Sequence, residues 1–149
     1  DAWGVDCSEW AISETDSGIG ERLACGTESI LTTQDWIIAK DVLEHVPHAA
    51  DCITTIMDAA RIGVFAVVPL ADESGKYVVS DYECDVTHVH RCPLRTWIGW
   101  FLRLGWRVEA SYRVAGIKDN YWAIYNGVLV PEFRPEWERA NGFITARRI

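Results

Sequence analysis

Residues 35–47 read DWIIAKDVLEHVP, and the fold turns on how this stretch is read. Trp36–Ala39 is apolar without alternation, as in a parallel strand covered on both faces. It stops abruptly at Lys40, Asp41, Glu44 and His45, with His48 just beyond Pro47. Ionisable side chains at the carboxyl end of a buried parallel strand point to a ligand crevice, because open α/β sheets bind ligands there. Pro47 limits residues 41–46 to a turn or half-helix.

Working outward, strand and helix signals alternate. AWGV (2–5) predicts a short strand ending at Asp6, and Ser8 is an N-cap for a helix to about Thr15. DSGIGE (16–21) is a turn and RLAC (22–25) a brief strand. Downstream, Ile53, Ile56, Met57 and Ala60 recur at helical spacing within residues 49–61. GVFAVVPL (63–70) predicts a second buried strand, and ADESGKY (71–77) a loop. Trp97, Ile98, Phe101 and Leu102 form one stripe of a helix over 94–104, with Gly105 placed as its C-cap glycine. WRVEASYRV (106–114) alternates as a strand, YWAIYNGVLV (121–130) predicts another, and the terminal ARRI reads as a frayed tail. The resulting order, β-α-β-β-α-β-α-β-β, belongs to an α/β sheet with helices on both faces, in one domain spanning residues 1–149.

Composition narrows the function. The chain is 49% hydrophobic with eight tryptophans, enough for a real core. A net charge of −8 leaves no basic groove and argues against a nucleic-acid reader. Cys7, Cys25, Cys52, Cys84 and Cys92 are odd in number and widely spaced, so a reducing cytoplasm is the simpler expectation than a disulfide framework. No apolar run reaches the roughly 18 residues of a membrane span, and no signal-peptide pattern is visible.

WGVDCSEWAI (3–12), DWIIAKDVLEHVP, VFAVVPL (64–70) and DVTHVH (85–90) followed by WIGWFLRLGWRVE (97–109) together resemble a class I S-adenosylmethionine-dependent methyltransferase. The resemblance implies a Rossmann-like sheet and S-adenosylmethionine as cofactor. It implies that Asp6 accepts hydrogen bonds from the two ribose hydroxyls, that Cys7 flanks the adenine, and that Lys40 and Asp41 border the methionine end. Thr27, with Glu28 beside it, falls where the family reads the adenine amine. Asp6 as a simple helix cap is the alternative.

In the branch that methylates polyprenyl-linked phenols, an acidic-x-x-Glu-His stretch binds a divalent metal, and Asp41, Glu44 and His45 match it. The alternative is that Glu44 and His45 only secure the turn before Pro47. The family chemistry is methyl transfer to an oxygen or nitrogen nucleophile, with His45, His88 and His90 as candidate bases. The acidic charge favours a small molecule, lipid precursor or glycan as acceptor. Two other functions are carried alongside: a catalytically inactive binding or assembly module, and an unrelated metal enzyme using His88, His90 and Cys92.

The family's glycine-rich loop should precede Asp6, yet only five residues do, and SGIGE (17–21) lies after it. The sheet is therefore expected to be N-terminally incomplete, with weak cofactor binding. The strands at 2–5 and 35–39 would be left with bare edges, and the chain would self-associate.

Overall fold

A computed structural model describes residues 2–15, 18, 22–27, 32–112, 121–125, 128–132 and 139–149. Strand β1 (Gly4–Asp6) leads into helix α1 (Glu9–Ser13), whose N-cap Ser8 accepts a hydrogen bond from the Ala11 amide. Strand β2 (Leu23–Cys25) lies parallel to β1, with Asp6 opposite Cys25. Most of DSGIGE lies outside the described residues.

The larger sheet holds the core. Its four strands run in the order β3 (Gln34–Lys40), β4 (Ala60–Pro69), β8 (Asn141–Arg147), β5 (Arg107–Ser111). β3 and β4 are parallel, whereas β8 is antiparallel to both β4 and β5. Helix α2 (Ala49–Ala59) makes the crossover from β3 to β4, and helix α3 (Leu94–Leu102) precedes β5. Ile53, Ile56 and Met57 of α2 and Trp97 and Phe101 of α3 pack in one cluster with alternate residues of β4 and β8: Val64, Ala66, Val68, Ile144 and Ala146. The alternate residues facing the helices set the register of both strands, although Val67 and Phe143 between them are buried as well. Helix α3 stops short of residue 104: its C-cap is Arg103, and Gly105, at φ +77°, lies in the turn beyond, where its amide donates to the Leu102 carbonyl.

Three further expectations change. β3 is not covered on both faces: Ile37 is 8% exposed, but Ile38 is 72% exposed. Its apolar run serves the core on one face only, and on the other Trp36 lies against Gly63 and beneath the Arg147 guanidinium. The segment 121–130 is not one strand but a pair, β6 (Tyr121–Tyr125) and β7 (Val128–Glu132), antiparallel with Tyr125 opposite Val128. Finally, ARRI is no frayed tail. Ala146 and Arg147 belong to β8, the strand that joins β4 to β5, and the Arg148 amide donates to the Ile62 carbonyl.

Candidate functional site

The carboxyl ends of the parallel strands carry the residues singled out by sequence. At the end of β1, Asp6 is exposed and its Oδ1 accepts from the Ser8 amide at 2.8 Å. The carboxylate thus supports the turn into α1 while remaining open to solvent. Cys7 and Thr27 are also exposed, and Glu28 lies outside the described residues.

At the end of β3 the Asp41 amide donates to the Val67 carbonyl at 3.0 Å, extending the β3–β4 ladder by one bond. Asp41 then takes φ +54°, a left-handed conformation that aspartate tolerates better than most residues. Its side chain pairs with Lys40 at 2.7 Å. The chain turns sharply here, which drives Leu43 and Glu44 inward; Glu44 is only 1% exposed.

The buried turn is clasped by the segment that follows β4. The Glu44 carbonyl accepts from the amides of Val89, at 2.9 Å, and His90, at 3.2 Å. The His90 ring nitrogen Nε2 lies 2.8 Å from the Val46 carbonyl, so it donates, and its ring meets Trp97 and Trp100 edge-on. These bonds hold two loops of distant sequence as one unit.

On that clasp the side chains of Glu44, His45 and His88 converge, one ligand-type atom from each lying within 4.8 Å of the others. The two imidazole centroids are 4.7 Å apart, and His45 Nε2 lies 3.9 Å from Glu44 Oε1. His45 Nδ1 is 2.8 Å from the Thr87 hydroxyl, which donates to Asp85 Oδ1 at 2.5 Å. These bonds from Thr87 hold the Asp85 carboxyl below the usual carboxylate range. Tyr77 and Tyr82 wall the His88 ring, and burial pushes each phenol up to about 12. The Tyr82 hydroxyl donates to Asn141 Oδ1 at 3.0 Å, tying this wall to β8.

The structure therefore brings Glu44 and His45 together with His88, while Asp41 turns to Lys40. His88, His90 and Cys92 do not gather as one ligand set among the described residues. They fall outside regular strand, and His90 is spent on Val46 and the tryptophans. Sequence reading missed Thr87, Tyr77, Tyr82 and Asn141. The D-x-T spacing of Asp85 and Thr87 was the one local signal, since such pairs form side-chain-to-backbone turns, as the Thr87 amide bond to Asp85 shows.

No protein-family model and no curated protein sequence matches the chain. Solved structures do. A SAM-dependent methyltransferase from Archaeoglobus fulgidus superposes with TM-score 0.67 at 15% identity, covering 99% of this chain and 76% of that one. Magnesium protoporphyrin IX methyltransferase from Synechocystis PCC 6803, with bound SAM, gives 0.59 at 14% identity, covering 99% and 59%. The CMeT domain of the citrinin polyketide synthase gives 0.62 at 11% identity, covering 97% and 38%. The chain has the Rossmann-like α/β fold of class I SAM-dependent methyltransferases.

Proposed function

We propose that this chain is built to bind S-adenosylmethionine and to support methyl transfer to an oxygen or nitrogen nucleophile. The observation that carries the reading is the match of nearly the whole chain, 99%, to a methyltransferase fold, with Asp6 and Lys40–Asp41 at the carboxyl ends of parallel strands. The donor set suits the cofactor: an exposed carboxylate at Asp6 for the ribose diol, and paired charges at Lys40 and Asp41 for the methionine end. Cys7, Thr27 and Glu28 belong to the adenine side in this reading. When bound, S-adenosylmethionine supplies an electrophilic methyl group, and the protein's task is chiefly alignment.

The acceptor is a small molecule, lipid precursor or glycan, consistent with the acidic charge of −8. Of the candidate bases, His90 is engaged with the Val46 carbonyl and His88 is 8% exposed, so His45, 34% exposed, is the base for its proton in this reading. Among the described residues no helix is long and apolar enough to cross a membrane.

Asp6→Asn tests the reading. Asparagine keeps an acceptor for the Ser8 amide but loses the charge, and S-adenosylhomocysteine binding should weaken by about 1.5–3 kcal/mol. An unchanged dissociation constant leaves Asp6 as a turn support only. One observation favours a second reading, an inactive binding module: β1 pairs with β2 and β3 with β4, in separate sheets, so the two halves of the cofactor crevice are not joined through the described strands.

A further inference from the structure

The hydrogen bonds around His45 determine which of its ring nitrogens carries the proton. Asp85 Oδ1 is a carboxylate oxygen and accepts the Thr87 hydroxyl proton. Thr87 Oγ1 therefore faces His45 Nδ1 with a lone pair, so Nδ1 is the donor in that 2.8 Å contact. In the neutral ring this leaves His45 Nε2 bare, and Nε2 is the atom turned to the Glu44 carboxylate at 3.9 Å. His88 repeats the pattern. Its Nε2 lies 3.5 Å from Asp85 Oδ2, while its Nδ1 is buried and meets no hydrogen-bond partner among the described residues. The His88 side chain is itself only 8% exposed.

Both imidazoles thus have one nitrogen turned to the Asp85–Thr87 pair and one bare nitrogen. The three residues bring one ligand-type atom each to within 4.8 Å of one another, and the buried Glu44 carboxylate lies 3.9 Å from the bare His45 Nε2. Such an arrangement calls for a cation. An outer carboxylate orienting the far nitrogen of each histidine is the usual support of a metal-bound imidazole.

We propose that Glu44, His45 and His88 form a binding site for a divalent transition cation, with His45 Nε2 and His88 Nδ1 as the nitrogen ligands and Asp85 and Thr87 as positioning residues. One carboxylate and two imidazoles suit zinc and its neighbours better than magnesium, which prefers oxygen alone. Zinc bonds of about 2.0–2.2 Å place tetrahedral ligand atoms about 3.3 Å apart, so the three groups close inward on binding. His45, on a turn and 34% exposed, has room to move. The cation would lock the turn after β3 to the segment after β4, adding to the bonds that already clasp them. With the cation bound, His45 and His88 are ligands rather than bases. The site does not depend on the methyl-transfer reading.

The test is zinc titration of the whole chain, followed by long-range ¹H–¹⁵N correlation of its four histidine rings. Zinc should bind at one equivalent and move His45 Nε2 and His88 Nδ1, leaving His48 and His90 in place. His88→Gln should weaken zinc more than the roughly 10–100-fold expected for Asp85→Asn, an outer partner. His90→Gln and Asp41→Asn should bind as the parent does. Circular dichroism of each variant separates lost binding from lost fold. Absence of binding to the parent, shifts confined to His48, or undiminished affinity in folded His88→Gln would each overturn the site.

Discussion

His45 and Thr87 stand 42 positions apart in the chain, and their side chains meet at 2.8 Å. The contact joins the turn after β3 to the segment after β4, and the same hydroxyl continues to Asp85. Thr87→Val keeps the shape and removes both bonds. It should lower the unfolding free energy in urea by about 0.5–1.5 kcal/mol, while Thr87→Ser stays near the parent. A valine variant as stable as the parent would mean that the backbone bonds to Glu44 hold the clasp alone.

Two glycines make opposite predictions. A Cβ at Gly63 would stand 2.5 Å from Trp36 Cζ3 and 2.7 Å from the Ala146 carbonyl oxygen, which belongs to the backbone of β8 and cannot step aside. Gly63→Ala should cost about 1–3 kcal/mol. Gly99 lies inside α3 with open space around it, so Gly99→Ala should stabilise by about 1 kcal/mol through helix propensity. Urea midpoints of the two variants should move apart; a shared direction would contradict the packing described for β3, β4 and α3.

Much of this was legible locally. Ser8 caps α1 as its sequence position indicates, because caps are decided within a few residues. What failed was decided at a distance. Ile38 looks like a core residue from its neighbours, yet strand pleating turns it away from the helix layer. Arg147 and Arg148 suggest a solvated tail, but the apolar run before them is drawn between β4 and β5, and their guanidinium groups lie over Trp36 and Trp106. For the site, sequence placed Glu44 and His45 side by side. No spacing rule brings His88 to them, because that approach depends on bonds from Val89 and His90 to Glu44.

The loop after β4 should be sensitive to acid. Asp72 Oδ1 accepts from the Ser74 hydroxyl and from the amides of Ser74 and Lys76, and these bonds, the Ser74 hydroxyl foremost, lower its carboxyl below the ordinary 3.8. A carboxyl lowered by folding stabilises fully above its unfolded value and loses that contribution as pH falls through the folded one. The loss therefore falls below pH 3.8. Asp72→Asn should flatten the stability-versus-pH curve in that range. An unchanged acid limb would show that the loop forms without the charge.

β3 is hydrogen-bonded to β4 alone among the described strands, and Ile38 on its open face is 72% exposed. Such a margin favours pairing with a second copy. Sedimentation at micromolar concentration should give a mass above the 16.8 kDa of one chain, and Ile38→Lys should shift it toward that value. A parent chain sedimenting at 16.8 kDa would contradict this.

In the proposed function the carboxyl ends of β1 and β3 line one cofactor crevice. Amide chemical-shift mapping with S-adenosylhomocysteine tests it most directly, since it detects weak binding as well as strong. Shifts should concentrate at Asp6–Cys7 and Lys40–Asp41, and both sets should be lost in Asp6→Asn. Saturating ligand that moves neither pair, or shifts confined to the β8–β5 side of the sheet, would contradict it.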